Sequence, residues 1–238
     1  MGYEYQFERD SCWYAKTCDK YRKDEFCNPG CIRYMEMHYL MNNSGIPKNK
    51  QYPSTLIPTS VDIKAFKRLQ EIRNNILRFV DGGGSLYIHS MNFGNGKTVW
   101  SLKLMQRYFD QVWPGNGFRV RGIFIHVPTF LIKIKESISQ KDDDFNLLRS
   151  RLLTTDLVVW DDIASTKLSE FDHANLLTYI DQRLLSGLAN VYTGNLTELR
   201  MKEALGNRLT SRIWNESVRV EFIGADRRNP NDFTTNHK

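Results

Sequence analysis

Between Leu86 and Phe222 the chain alternates between short apolar runs and stretches of helical spacing. The runs are Leu86-Tyr87-Ile88-His89, Gly122-Ile123-Phe124-Ile125-His126-Val127, Leu157-Val158-Val159-Trp160, Ala189-Asn190-Val191-Tyr192-Thr193 and Val218-Arg219-Val220-Glu221-Phe222. Helices are predicted between them, near 96–112, 128–138 with 143–153, 171–186 and 197–213. Strands separated by helix-length crossovers lie parallel, and a sheet built that way buries both faces under helices. The expected class is therefore α/β with a mostly parallel sheet. A further helix is predicted from Asp62, where Phe66, Leu69, Ile72, Ile76 and Leu77 recur at three- and four-residue spacing until Gly82-Gly83-Gly84 stops it.

The first crossover carries the most specific chemistry. Asn92-Phe93-Gly94-Asn95-Gly96-Lys97-Thr98 lies between the first strand and a strongly amphipathic helix, where a phosphate-binding loop has to sit. Glycines let backbone N–H groups turn toward phosphates, and the helix N-terminus adds a positive dipole end. Lys97 can reach the β- and γ-phosphates, and Thr98 can ligate Mg²⁺. The full pattern, G-x-x-x-x-G-K-[ST], has its first glycine where this chain has Met91. An acidic partner is expected at the end of another buried strand, and Leu157-Val158-Val159-Trp160-Asp161-Asp162 supplies two carboxylates there. In P-loop ATPases the first holds Mg²⁺ through water and the second orients attacking water. Thr193-Gly194-Asn195 ends the next strand, which places Asn195 at the same sheet edge. Arg208 and Arg212 stand four apart, on one helix face.

All four cysteines, Cys12, Cys18, Cys27 and Cys31, precede residue 32, with the spacing C-x5-C-x8-C-x3-C. The start of the chain, MGYEYQFERD, lacks the basic-then-apolar layout of a secretory signal, so a reducing compartment is expected, and four clustered thiols there point to a metal rather than to disulfides. Zinc is the expected ion and an iron–sulfur cluster the alternative; His38 is a substitute ligand ranked below the cysteines. A short amphipathic helix is predicted from Cys31 to Met41. Residues 42–61, rich in Pro, Ser, Asn and Thr, read as a linker. The organisation expected is a four-cysteine module over 1–45, a linker over 46–61 and an ATPase domain over 62–238.

Composition adds exclusions. Mean hydropathy is −0.49, and no apolar run approaches the ~18 residues needed to cross a bilayer, so no membrane partner is expected. The 33 Lys and Arg against 27 Asp and Glu give a net charge of +6, a lean toward polyanionic partners.

From Leu86 to Phe222 the chain resembles the AAA+ helicase loaders of the DnaC/DnaI type, in their phage and Firmicute branch. The residues that carry the likeness are GNGKT at 94–98, IHVPTFL at 125–131, DLVVWDDI at 156–163, YTGNLT at 192–197 and LGNRLTSRI at 205–213. The resemblance implies a slow, Mg²⁺-dependent ATPase without the usual lid, since only 16 residues follow Phe222. It places Lys97 and Thr98 in Walker A, with Asn92, Phe93, Gly94, Asn95, Gly96 and Val99 completing the ATP/ADP contacts. It assigns Asp161 and Asp162 to Walker B, with Asp161 and Thr98 on Mg²⁺, and Asn195 to sensor 1. Arg212, with Arg208 nearby, becomes an arginine finger acting on a neighbouring subunit, which implies self-association. It further implies that the N-terminal module grips the replicative helicase and carries zinc. Single-stranded DNA is expected along Lys133, Lys135, Lys167, Ser169 and Phe171. The setting implied is replication initiation in the bacterial cytoplasm, with a phage-encoded protein among the possibilities. Two alternatives stand beside it: a transposition helper ATPase of the IstB type, whose N-terminus is helical without a four-cysteine site, and a non-catalytic zinc-containing DNA-binding protein with a degenerate P-loop.

Overall fold

The computed structural model describes residues 5–51, 55–112, 118–139, 142–163 and 168–227. Five strands, β1 (Ser85–His89), β2 (Gly122–His126), β3 (Leu157–Asp161), β4 (Ala189–Gly194) and β5 (Val218–Glu221), form one sheet in the order β2-β3-β4-β1-β5. Every pairing is parallel, as the alternation predicts. Because β1 lies inside the sheet between β4 and β5 and the chain leaves it to reach β2 at the far edge, the carboxyl ends of β1, β3 and β4 lie together at one edge of the sheet, the usual ligand position in such sheets.

The alternation of strand side chains divides the interior in two. Leu86, Ile88, Leu157, Val159 and Val191 face one core, built with α2 (Ile63–Asn74), α3 (Ile76–Asp81) and α4 (Lys97–Gln111). Tyr87, Val158, Trp160 and Tyr192 face the other, built with α5 (Val127–Ser139), α6 (Asp143–Leu152), α7 (Glu170–Leu185) and α8 (Glu198–Thr210). At the start of β4, Arg183 is fully buried and donates to the Asn190 side chain and to the carbonyls of Leu152, Thr155 and Ala189. Burial lowers its pKa to about 10, so the guanidinium keeps its charge and pins α7 beneath β3 and β4.

Two predicted helices are each broken. The one from Asp62 divides at Asn75, whose φ of −112° and ψ of 33° are not helical and whose side chain bonds back to the Glu71 carbonyl. The one over 197–213 leaves helical geometry at Gly206 (φ 70°, ψ 168°), then closes in a π turn over Ser211–Asn215. Only glycine enters that region of backbone at little cost, so Gly206 redirects the chain just before Arg208 and Arg212.

The N-terminal segment is turn-rich until α1 (Ile32–Asn43). Tyr14, Met37, Leu40 and Met41 pack into the same core as Leu104, Met105 and Tyr108 of α4. Arg33 pairs with Asp110 at 3.0 Å, and the Phe124 N–H of edge strand β2 donates to the Ser44 carbonyl at 2.7 Å. Among the described residues no helix is long and apolar enough to cross a membrane.

Candidate nucleotide-binding site

The loop from Ser90 to Gly96 joins β1 to α4, and its shape follows from two glycines with positive φ, Gly94 at 64° and Gly96 at 103°. Gly96 caps α4, and a β-carbon there would also come within 2.6 Å of Leu56. Met91, which stands where the full pattern has its first glycine, is not among the residues with positive φ, so the backbone conformation there does not call for glycine. Ser90 Oγ accepts from the Asn92 N–H and from the side chain of Asn95, which is fully buried. Lys97 Nζ donates to the Asn92 carbonyl at 3.0 Å and to Asn95 Oδ1 at 3.2 Å. Phe93 is exposed on the rim, and Val99 lies half-buried in the first turn of α4.

Below the loop, three elements meet at one carboxylate oxygen. Asp161 Oδ1 accepts from Thr98 Oγ1 at 2.8 Å and from Thr193 Oγ1 at 2.7 Å. Burial raises the Asp161 pKa and Asp162 adds to the rise, opposed by the two hydroxyls and the positive charge of Lys50. Asp162 follows in left-handed backbone (φ 61°), a conformation that aspartate tolerates better than most side chains, and its N–H donates to Thr193 Oγ1 at 3.0 Å. Asn195 leaves β4 at the same edge, and its side-chain oxygen has no hydrogen-bond partner among the described residues. The strand end just before it needs Gly194, since a β-carbon would sit 2.8 Å from Tyr87 Oη.

The structure thus brings together Lys97, Thr98, Asp161, Asp162 and Asn195, all anticipated, and adds three residues that sequence reasoning missed. Lys50 comes from the linker. His126 pairs in register with Asp161, and its Nδ1 lies 2.8 Å from Thr129 Oγ1. His89 is buried at the end of β1, stacked on Tyr87 and packed against Trp214. Burial holds its pKa below the ordinary value, and the Arg219 and Lys97 charges act the same way against an opposing Glu221. Only strand ends that end in a polar residue hinted at the two histidines; nothing in the sequence pointed to Lys50.

The remaining expected residues lie elsewhere. Arg208 and Arg212 share Asp181 of α7, at 3.0 and 2.7 Å, and Arg212 also pairs with Glu216 at 2.6 Å. They do face one way, as their spacing predicts. Lys133 is exposed on α5, whereas Lys135 is paired with Asp172 at 2.8 Å. That same carboxylate exchanges capping bonds with Ser169 at the start of α7, so Ser169 and Lys135 both serve a helix end. Phe171 is 41% exposed beside them, and Lys167 lies outside the described residues.

The four cysteines are unpaired and half-buried. Burial raises the Cys12 thiol pKa, and Cys27, Cys31 and Cys18 push it further up, which puts all three within electrostatic reach of Cys12. No three such donors among the described residues stand in metal-ligand geometry, so the zinc module expected from spacing is seen as a gathering of thiols and not as a closed ligand set. The His38 ring lies against Tyr5, Trp13 and Tyr34.

The sequence matches no protein-family model and no curated protein. The fold matches solved structures. The structure of the DnaC helicase loader aligns with a TM-score of 0.59 at 17% identity, over 76% of this chain and 98% of that one. DnaI aligns with a TM-score of 0.58 at 18% identity, over 74% and 94%. The replication initiator DnaA bound to AMPPCP and single-stranded DNA aligns with a TM-score of 0.56 at 16% identity, over 78% of this chain and 50% of that one. The chain therefore shares the fold of these proteins.

Proposed function

We propose that the chain is a replicative helicase loader of the DnaC/DnaI type, an ATP-controlled adaptor that places a helicase ring on single-stranded DNA during replication initiation. The observation that carries this reading is the convergence of Thr98, Asp161 and Thr193 beneath the glycine loop, on a fold that spans 98% of the solved DnaC chain. The donor set suits a hard cation, because a hydroxyl and a carboxylate already share one hydrogen bond that an ion could replace. Thr98 and Asp161 would hold Mg²⁺, which neutralises phosphate charge when bound.

The other roles belong to the protein's own groups. Lys97 exchanges the Asn92 carbonyl and Asn95 for phosphate oxygens. Asp162 orients the attacking water, and Asn195 contributes its side-chain amide near the terminal phosphate. The carboxylate at 162 is one methylene shorter than a glutamate, in keeping with slow, switch-like hydrolysis. Arg212 acts across a subunit contact after leaving Asp181. Cys12, Cys18, Cys27 and Cys31 hold zinc in the segment that meets the helicase, and Lys133, Lys135 and Phe171 contact the DNA strand.

Two measurements test the reading. Lys97→Ala and Asp161→Ala should each abolish ATP turnover while the circular dichroism spectrum is retained, and unchanged turnover in either removes the ATPase from this site. Capture from bacterial extract in the presence of ATP, followed by mass spectrometry, should return the replicative helicase. Recovery of a transposase instead would move the assignment to a transposition helper.

A further inference from the structure

The segment leaving β5 folds back onto the outer side of the phosphate loop, and the segment entering α2 meets it there. Asp62 has its side chain fully out of solvent. It accepts from the backbone N–H groups of Ile223 at 2.8 Å and Gly224 at 3.0 Å, and pairs with the Arg227 guanidinium at 2.9 Å. Arg227 also donates to the Ile57 carbonyl and lies 5.2 Å from the centre of the Phe66 ring. Its backbone N–H donates to the Gly94 carbonyl at 3.0 Å. Two residues earlier in the loop, the Asn92 side chain donates to the carbonyls of Ile223 at 2.8 Å and Gly224 at 3.1 Å. The approach is close enough that a β-carbon on Gly224 would fall 2.3 Å from the Asp62 carboxylate.

A loop that turns its N–H groups inward to cradle phosphate must turn carbonyls outward, and those carbonyls need donors from somewhere else. Here the donor for Gly94 comes from residue 227, and Asn92 is pinned to residues 223 and 224. Residues 223, 224 and 227 are in turn held by one buried carboxylate, Asp62, at the N-terminus of α2.

We infer that Asp62 and Arg227 are positioning residues for the phosphate loop, a clamp that sets its shape from outside and ties the 55–62 segment to nucleotide occupancy. The inference rests on reading residues 92–98 as the nucleotide site. A charge-assisted pair whose carboxylate is out of solvent and whose guanidinium is largely so holds geometry well, and a loop so held gives up little freedom when nucleotide binds. Coupling of this kind is reciprocal, so bound nucleotide should steady 55–62 in return.

Full-length Arg227→Ala, Arg227→Lys and Asp62→Asn test the clamp, with ATP affinity read by calorimetry in Mg²⁺ and amide exchange read by mass spectrometry. Arg227→Ala should bind ATP about tenfold more weakly, the loss expected for one charge-assisted pair. Exchange should quicken over 55–62 and 90–97 and stay unchanged in β3 and β4, and Arg227→Lys should recover part of both effects. Asp62→Asn should follow Arg227→Ala if it folds, and Arg227→Ala decides alone if it does not. ATP affinity within twofold of the unmodified protein in Arg227→Ala, or unchanged exchange over 90–97, overturns the clamp. Absence of ATP binding by the unmodified protein overturns the nucleotide reading, and the exchange arm then decides the clamp by itself.

Discussion

At Asp161, burial and chemistry pull in opposite directions. Burial favours the protonated acid, while the proposed role on Mg²⁺ requires the carboxylate. The sign follows directly. With a pKa raised above 3.8 in the folded state, Asp161 binds its proton more tightly folded than unfolded, so its contribution favours the nucleotide-free fold at low pH and is lost as pH rises through the raised value. Nucleotide binding runs the other way, because ligation must expel that proton. ATP affinity in Mg²⁺ should therefore weaken as pH falls through the raised value, and the dependence should flatten in Asp161→Asn. Calorimetry across that range checks it, and a slope equal in both proteins would detach Asp161 from the ion. Lys97, Thr98, Asp161 and Asp162 were legible as a motif because spacing and strand ends mark them. Lys50 and His89 were not, since their place at the site depends on where distant segments pack.

At the scale of elements, the broken α8 decides how Arg208 and Arg212 are presented. Gly206 turns the chain, the π turn over Ser211–Asn215 follows, and both guanidiniums settle on Asp181. Arg208 is 70% exposed and Arg212 37%, so these pairs are screened by solvent and contribute little to stability. Pairs so exposed are readily exchanged for another anion, as the proposed role across a subunit contact requires. Arg212→Ala should retain ATP binding and lose hydrolysis, and mixing it with Lys97→Ala should restore part of the turnover in trans. Normal hydrolysis by Arg212→Ala would leave these arginines as a surface network on α7. The four-residue spacing showed that the two arginines share a face; it could not show which acid waits opposite, because Asp181 belongs to another helix. Lys135 makes the same point, since its partner Asp172 lies across from α5 on α7.

In the whole molecule, the cysteine-bearing segment and the sheet are joined through α1. Met37, Leu40 and Met41 share a core with α4, which begins at the phosphate loop, and Ser44 covers the exposed edge of β2. Zinc held by the four thiols would therefore stabilise more than the first 45 residues. The purified protein should carry about one zinc per chain, and chelation or Cys27→Ser should lower the melting temperature of the same transition that reports the sheet. Metal analysis and calorimetry check this together. Four freely titrating thiols and no zinc in the native protein would refute it.

Local pattern was enough for the sheet's direction, the strand ends and the loop chemistry, because strand and helix periodicity, glycine backbone freedom and a lysine at a helix start act over a few neighbouring residues. The break at Asn75, the turn at Gly206 and the freedom of position 91 from a glycine requirement depend on backbone angles that periodicity does not report. The pairing of Arg208 and Arg212 with Asp181, the packing of His89 against Trp214 and the meeting of Asp62 with Arg227 across 165 positions were decided by tertiary structure alone. Such contacts join residues whose local sequence is equally consistent with exposure to water. Only packing the helices on the sheet removes that water and selects the partner.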